Sequence, residues 1–172
     1  MVPPGLPAPP DVAADLVVDT SVLISILLLD WPWLLTETTG HRAWIPPEVN
    51  AEVKYAQQRT ALDKWLGQDV LAIQPIVDLE SLKLFARLAR RLGKGEAACL
   101  TLAAARPGLT LATDDRDARL MREISALQVH KRLIGTIGLL HEAVRLGVLP
   151  QDRADDALRR LKEKGRYLPP SN

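Results

Sequence analysis

The sequence predicts an α/β fold in which helices cover both faces of a mostly parallel sheet. Short apolar runs of strand length alternate along the chain with longer segments of helical length, and this order favours consecutive strand–helix–strand units. The chain has 172 residues, of which 47% are hydrophobic, so one domain can bury a sizeable core without disulfides or a structural metal. We therefore expect a single α/β domain.

The first half of the chain contains three predicted strands separated by helices. Trp31-Pro32-Trp33 marks the end of the first helix. Pro46 and Pro47 suit a first helical turn, so they predict a second helix that runs through Glu52 to Tyr55. The expected elements are strands at 16–18, 43–45 and 70–76, and helices at 21–29, 46–55 and 60–66.

The second half is dominated by helical patterns. Leu82, Phe85, Leu88 and Leu92 recur at spacings of three and four, which predicts an amphipathic helix. Glycines end that helix, and an Ala-rich segment typical of a closely packed helix follows. The expected elements are helices at 79–92, 97–105, 115–124, 137–146 and 152–166, and strands at 109–113 and 127–129.

Proline content and charge set the expected limits of the domain. Residues 1–14 are rich in proline and lack the basic start of a signal peptide, so we expect a disordered tail. The domain itself is expected at 15–150. Residues 151–172 should form a C-terminal helix and tail that pack on the same domain.

Two further patterns bear on location. Asp19, Asp30 and Pro32 interrupt the apolar stretch at 16–35, which argues against a membrane-spanning helix. Cys99 is the single cysteine and lies in an apolar segment, so it is expected to be a small core residue rather than half of a disulfide. A reducing cytoplasm is therefore the expected compartment.

Charge is distributed unevenly although the net charge is only +1. Residues 1–80 carry 4 Lys/Arg against 11 Asp/Glu, a net of −7, whereas residues 81–172 carry 18 against 10, a net of +8. A basic half beside acidic clusters suits an anionic polymer held near metal-binding carboxylates. Ordinary solvated helix faces explain the same counts equally well.

Acidic residues stand where apolar runs end or helices begin. In parallel sheets the carboxyl ends of the strands form the ligand-binding edge. Carboxylates gathered there would repel one another by about 4 kcal/mol per pair at roughly 4 Å and an effective dielectric near 20, and Mg²⁺ or Mn²⁺ would offset that repulsion. The residues in question are Asp19, Glu52, Glu96, Asp114, Asp115 and Asp117.

Helix capping offers a simpler explanation for each acid taken singly. Asp19 could cap the following helix, Glu96 could stabilise a first turn, and Glu52 could be a solvated mid-helix residue. Capping does not explain three acids within residues 114–117. The three histidines lack metal-ligand spacing, and the chain shows no Ser-His-Asp set and no phosphate-binding glycine loop.

At these residues the chain resembles the PIN-domain family, which includes VapC-like toxin ribonucleases. Residues 18–24, VDTSVLI, resemble the first motif, and residues 45–53 resemble the second, with Glu52 in the acidic position. Residues 95–98 correspond to the third motif and residues 113–117 to the fourth. Residues 134–148 further resemble a subgroup with a Gly-Thr-x-Gly-Leu-Leu segment, and the resemblance covers roughly 15–150.

The resemblance implies a three-layer α/β/α nuclease with Mg²⁺ or Mn²⁺ in a shared acidic pocket. The third acid is Glu96, where many members have Asp, and its longer side chain could shift a metal by about one methylene. Asp115 best fits the Thr-x-Asp spacing of the fourth motif, ahead of Asp117 and then Asp114. The implied catalytic residues are Asp19, Glu52, Glu96 and Asp115, and the implied metal ligands are Asp19, Glu96, Asp115 and Asp117.

Other residues acquire implied roles toward water and RNA. Ser21 and Thr113 would fix metal-associated waters or the phosphate. Lys94, Arg116 and Arg119 are candidates for contacts to the RNA backbone. The chain has only 4 Trp, 2 Tyr and 1 Phe, so base stacking is not expected to be the main source of affinity, and cleavage should depend strongly on salt.

The resulting hypothesis is a metal-dependent ribonuclease, the toxin of a toxin-antitoxin pair. The resemblance further implies a small antitoxin that covers the acidic pocket, and a homodimer. A PIN-like nucleic-acid or protein binding module that has lost robust catalysis is the alternative. A phosphatase with an aspartyl nucleophile ranks low, because Asp19-Thr20-Ser21 lacks a second Asp two residues on.

Overall fold

The computed structural model describes residues 15–37 and 42–170, which form a three-layer α/β/α fold. The central sheet has five strands in the order β3-β2-β1-β4-β5, all parallel. The predicted fold class is confirmed, while the predicted disordered tail at 1–14 lies outside the described residues. The strands are β1 (Asp15–Val18), β2 (Ala43–Ile45), β3 (Leu71–Ile73), β4 (Leu109–Ala112) and β5 (Leu133–Ile134).

Helices of different lengths connect these strands. They are α1 (Thr20–Leu29), α2 (Trp33–Thr36), α3 (Pro47–Glu52), α4 (Ala56–Gly67), α5 (Leu79–Leu88), α6 (Lys94–Ala105), α7 (Ala118–Ala126), α8 (Thr136–Arg145) and α9 (Gln151–Glu163). A 3₁₀ turn, His130–Arg132, precedes β5. Within the described stretches, no helix combines the length and the apolar character needed to cross a membrane.

The order of the strands places a switch point beside β1. From β1 the chain builds β2 and β3 on one side of the sheet and then crosses to build β4 and β5 on the other side. Leu16, Val17 and Val18 are fully buried, which agrees with a continuous apolar run that is covered on both faces. Ligands of open α/β sheets bind at such switch points, outside the carboxyl ends of the strands.

The last helix packs on the body of the domain. Helix α9 contacts α1 and α8, and Ala154, Ala157 and Leu161 form its buried face. Cys99 is buried and unpaired, as predicted.

One predicted strand is wrong. Residues 127–129 end helix α7: the Gln128 N–H donates to the Ser125 carbonyl (3.1 Å) and the Val129 N–H to the Ile124 carbonyl (2.9 Å). Gln128 has a left-handed φ of 58°, the conformation that closes a helix end. The Leu-Gln-Val pattern fits an alternating strand and a capped helix end equally well, and the strand itself lies further on, at β5.

Other element boundaries differ for local reasons. The helix predicted from residue 115 begins at Ala118, because Asp117 occupies the N-cap and accepts from the Arg119 N–H. Helix α3 ends at Glu52, since Val53 already has an extended conformation. Strand β3 is shorter than predicted, α4 begins earlier, α5 and α9 end earlier, and α2 was not predicted.

Arg132 ties helix α6 to strand β4. Its Nη1 donates to the carbonyls of Ala103 (3.0 Å) and Arg106 (3.1 Å) and also to that of Leu109. The first two carbonyls belong to the end of α6, where intrahelical donors are missing, and the third belongs to the first residue of β4.

We expect Arg132→Met to lower the free energy of unfolding by about 1.5–3 kcal/mol, because the lost bonds come from a charged donor. Lys131→Met, at the exposed neighbouring residue, is the matched control and should have little effect. Urea denaturation measures both variants. Equal stability of the two variants would contradict this role of Arg132.

Candidate active site

Asp19 lies at the carboxyl end of β1, beside Thr113 at the end of β4. The register pairs Val18 with Ala112, and the Asp19 N–H continues the ladder by donating to the Ala112 carbonyl (2.9 Å). This register alone brings residues 19 and 113 together. Thr113 Oγ1 accordingly donates to Asp19 Oδ2 at 2.9 Å.

The Asp19 carboxylate is nearly inaccessible, with 4% of the residue exposed. It stands at the N-cap position of α1 but makes no side-chain capping hydrogen bond, so capping does not explain it. Burial raises its pKa, with a smaller contribution from the charge of Glu52, while hydrogen bonds from Thr113 and Ser21 act in the opposite direction. The site therefore contains a buried acid held by hydroxyl groups.

Ser21 and Thr113 are used mainly to position Asp19 and the loop after β4. Ser21 Oγ donates to Asp19 Oδ2 (3.0 Å) and accepts from the Asp114 N–H (2.9 Å). Thr113 Oγ1 accepts from the Asp115 N–H (3.1 Å). The two hydroxyl oxygens lie 3.2 Å apart. Both predicted supporting residues thus contact the first acid directly.

Glu52 is an exposed residue at the end of α3, held by donors from two other helices. Thr20 Oγ1 donates to its Oε2, and the Gly95 N–H donates to its Oε1 at 3.1 Å. A Cβ atom on Gly95 would lie 2.7 Å from Glu52 Oε2. The absence of a side chain at residue 95 therefore allows the carboxylate to approach the first turn of α6.

Glu96 faces Asp115 across the pocket. Its Oε2 accepts from the N–H of the N-cap residue Gly93 (3.1 Å) at the start of α6. Burial raises the pKa of Glu96 to about 7, together with a hydrogen bond to Asp115 and the charges of Asp115 and Asp19. Glu96 thus has both the capping role that its position suggested and a close carboxylate neighbour.

The three acids after β4 have separate surroundings. Asp114 is only 2% exposed and accepts from Thr136 N–H (2.7 Å) and Thr136 Oγ1 (2.6 Å), so it fixes the first turn of α8. Asp115 Oδ1 accepts from the Asp117 N–H (2.7 Å) while its carboxyl group faces Glu96. Of the three, Asp115 is the one whose carboxyl group contributes to the raised pKa of Glu96.

Asp117 is exposed, and its carboxylate caps the N-terminus of α7. Its Oδ1 accepts from the Arg119 N–H (2.8 Å) and from Arg119 Nε (3.1 Å), and these bonds lower the pKa of Asp117. The structure therefore brings together Asp19, Glu52, Glu96 and Asp115, which we call the acidic site. Asp117 lies next to it with its carboxylate directed to Arg119.

The predicted basic residues differ in their contacts. Arg116 Nη1 donates to the carbonyls of Thr113 and Asp115, both at 3.0 Å, so it braces the loop that carries Asp115. Arg119 pairs with Asp117, and Lys94 is exposed at the start of α6. Lys94 and Arg119 are thus the two that present their side chains at the surface.

Sequence reasoning missed Arg166, which braces the acidic site from behind. Gly165, with φ of 76°, turns the chain after α9. Arg166 Nη2 then donates to the Ser21 carbonyl (2.7 Å) and its Nε to Ser25 Oγ (3.3 Å), and its charge counteracts the rise in the pKa of Asp114. No local pattern marks this arginine, because its partners are more than 140 residues away in sequence.

The donor set of the acidic site is chemically suited to a divalent cation. Four carboxylates from separate segments converge, and neighbouring carboxylates contribute to the raised pKa of both Asp19 and Glu96. Hard cations such as Mg²⁺ and Mn²⁺ prefer such oxygen donors. Across residues 15–37 and 42–170, however, no three acidic, histidine or cysteine side chains are already arranged as a ligand group. Glu52 and Glu96 accept hydrogen bonds from local N–H and hydroxyl donors.

Comparison with known proteins identifies the family to which the chain belongs. A family model described as "DUF3368: PIN domain" matches residues 15–172. The chain belongs to the PIN-domain family. PIN domains are generally nucleases, and those nucleases generally use divalent metal ions.

Structural comparison supports the fold of this PIN domain. A crystal structure of PAE2754 from Pyrobaculum aerophilum matches with a TM-score of 0.50 and 18% sequence identity, over 77% of this chain and 91% of that chain. No curated protein matches the chain. At this identity the likeness concerns the fold alone.

We expect Gly95→Ala to displace Glu52 without unfolding the PIN domain. The added Cβ meets the end of a flexible side chain, and alanine favours the helix by about 1 kcal/mol, which offsets the lost hydrogen bond. The free energy of unfolding should change by less than about 1 kcal/mol. In NMR spectra the amide proton of residue 95 should shift upfield as it loses its carboxylate acceptor.

Gly67→Ala is the matched control, because a Cβ there meets open space at the end of α4. A carboxylate that stays hydrogen-bonded to the residue 95 amide in Gly95→Ala would show that the close approach is not needed.

The raised pKa of Glu96 predicts a pH-dependent stability for the metal-free PIN domain. In the unfolded chain Glu96 loses its proton near its ordinary value of 4.5, whereas the folded domain keeps it until about 7. The folded state binds more protons in this window, so the free energy of unfolding should fall as pH rises from about 4.5 to about 7. Burial of Asp19 and Asp114 acts in the same direction.

Glu96→Gln should flatten this pH dependence because glutamine stays neutral throughout. Urea denaturation in EDTA between pH 5 and pH 8, with Glu37→Gln at an exposed residue as control, measures the effect. An identical pH profile for the parent protein and Glu96→Gln would contradict the assignment.

Proposed function

We propose that this PIN domain is a Mg²⁺- or Mn²⁺-dependent endoribonuclease that hydrolyses RNA phosphodiesters. The observation that carries the proposal is the convergence of Asp19, Glu52, Glu96 and Asp115 from four separate segments. Such an arrangement raises the energy of the ionised groups. Folding alone does not explain it, because the side chains that hold Asp19 are the hydroxyl groups of Ser21 and Thr113, which require no second carboxylate nearby.

Asp19, Glu96 and Asp115 are the proposed ligands, with Asp117 as a further ligand if it leaves Arg119. A bound divalent ion lowers the pKa of water and neutralises charge that develops on the phosphate. Ser21 and Thr113 fix the orientation of Asp19 through its Oδ2. Glu52, at the exposed rim, would orient the attacking water by hydrogen bonding.

Basic side chains at the rim supply the proposed contacts to RNA. Lys94 and Arg119 are exposed, and Arg116 holds the loop between them and the acidic site. Contacts of this kind give affinity without sequence preference and weaken as salt increases. We therefore propose that the phosphate backbone provides the main share of RNA binding.

The proposed biological setting is a VapC-like toxin in the cytoplasm. A small antitoxin protein would cover the acidic site, and the active form would be a homodimer. Residues 15–150 would form the nuclease domain and residues 151–172 its C-terminal support, consistent with the packing of α9 on α1 and α8.

A binding module without robust catalysis is the second candidate. It is favoured by the local hydrogen bonds of Glu52 and Glu96, which direct these carboxylates to protein donors. The Glu at residue 96 also departs from the Asp that many family members have. A folded parent protein that binds neither Mg²⁺ nor Mn²⁺ by titration calorimetry would support this reading.

We expect Asp19→Asn to reduce Mn²⁺-dependent cleavage of single-stranded RNA by about 100-fold or more, because a direct ligand should matter at least as much as an outer-sphere partner. The fold should survive, since asparagine removes a buried charge but keeps the shape. Asp69→Asn is the matched control: Asp69 is exposed with φ of 56°, a conformation that Asn accepts. Cleavage by Asp19→Asn at the parent rate would refute the mechanism.

A further inference from the structure

A cavity of about 400 Å³ opens between the second half of α1, the start of α4 and the end of α9. Leu27 and Leu28 supply its apolar wall, Tyr55 and Gln58 come from α4 and its N-cap, and Lys164 follows α9. Its volume falls within the range of small-molecule sites. None of the contacts described for the acidic site involves these side chains.

The cavity combines an aromatic face, an apolar wall and a polar group without a partner. Tyr55 is 78% exposed, so its ring is available for stacking. Gln58 Oε1 is buried and has no hydrogen-bond partner among the described residues. A buried acceptor left unpaired is unfavourable, and a rotation of the Gln58 amide toward the cavity would let it accept from an N–H group of a ligand.

The cavity is connected to the acidic site by two short segments. Thr20, which donates to Glu52, begins α1, and Leu27 lies seven residues along the same helix, a rise of about 10 Å. Tyr55 follows Glu52 by three residues, a span of at most about 10 Å. A few nucleotides of an RNA strand can cover this distance from a phosphate at the acidic site.

We propose that this cavity, lined by Tyr55, Gln58, Leu27, Leu28 and Lys164, binds one unpaired nucleobase of the RNA strand cleaved at the acidic site. Tyr55 stacks on the base, as aromatic residues do in single-strand binding proteins. The Gln58 amide turns toward the cavity and its Oε1 accepts from an N–H group on the edge of the base, and Lys164 contacts a neighbouring phosphate. This inference rests on the proposed ribonuclease function.

The composition of the cavity favours a base over a docked protein. A protein interface would be expected to gather several exposed apolar side chains around an anchor. In the described residues the exposed large aliphatic side chains lie elsewhere, at Ile73, Val77, Leu79, Leu82, Leu146 and Val148. Beside its two leucines, the cavity instead presents one ring, two glutamine amides and one cation, a combination that suits a nucleotide.

The test measures binding of a fluorescently labelled single-stranded RNA by anisotropy. The full chain carries Asp19→Asn to prevent cleavage. Tyr55→Leu in this background should weaken binding by about 5- to 150-fold, the effect of losing one stacked base, whereas Tyr55→Phe should retain affinity because the ring remains. Tyr167→Leu is the matched control, since Tyr167 is 67% exposed and does not line the cavity.

Two further measurements separate the base from the backbone. Lys164→Gln should reduce the slope of log affinity against log salt by about one, while Tyr55→Leu should leave that slope unchanged. A series of RNAs, each with one abasic nucleotide at a different position, locates the bound base. At one position the abasic nucleotide should lower the affinity of the protein that keeps Tyr55, and it should not lower the affinity of Tyr55→Leu.

The outcomes distinguish this inference from the proposed function. Equal affinity of Tyr55→Leu and Tyr167→Leu, or an abasic series in which no position matters, would overturn the base site while leaving the nuclease intact. Loss of self-association without loss of RNA affinity in Tyr55→Leu would assign the cavity to a protein interface and would also overturn it. A parent protein that neither binds nor cleaves RNA would overturn both proposals.

Discussion

Two hydroxyl groups donate to the same oxygen of the buried Asp19 carboxylate, one from Ser21 at 3.0 Å and one from Thr113 at 2.9 Å. A buried carboxylate without such donors would be strongly destabilising. Because Thr113 follows β4, its bond exists only while β1 and β4 keep the register that pairs Val18 with Ala112. The packing of the sheet and the position of the first acid are therefore one constraint, and the rest of the acidic site is built around it.

The remaining acids are held by three different means. Neutral donors from α1 and α6 orient Glu52, a carboxyl partner faces Glu96, and Arg119 neutralises Asp117. Asp114 is turned the other way and fixes α8 through Thr136. Only part of the acidic charge is thus compensated within the protein, and the raised pKa values of Asp19 and Glu96 reflect the uncompensated charge together with burial.

The sequence predicts the fold, and the position of Asp19 at the end of β1, because both depend on local patterns. The buried run before Asp19 and the alternation of elements are readable without knowledge of distant contacts. The roles of the three acids after β4 cannot be predicted from local patterns. They depend on Thr136, Glu96 and Arg119, and both Thr136 and Glu96 lie about 20 residues away in sequence. The strand predicted at residues 127–129 is wrong because a capped helix end and a short strand share the same alternating apolar pattern. The role of Arg166 was not predicted, because its partners are distant in sequence.

Tyr55 illustrates a similar limit of composition. The low number of aromatic residues predicts little stacking overall, yet the position of one ring decides whether a single base can be bound. The number of aromatic residues indicates how much stacking the whole surface can provide. Affinity for one nucleotide depends instead on which side chains line one cavity.

The parallel pairing of β1 with β4 also has a consequence for how the chain acquires its site during synthesis. The bond between Thr113 and Asp19 joins residues 94 positions apart, and at typical synthesis rates of 5–20 residues per second about 5–20 s separate their appearance. Until β4 emerges, β1 lacks this neighbour, and the Asp19 carboxylate remains hydrated. A ribosome-bound chain that ends before residue 113 therefore cannot carry an assembled acidic site, however complete its first helices are.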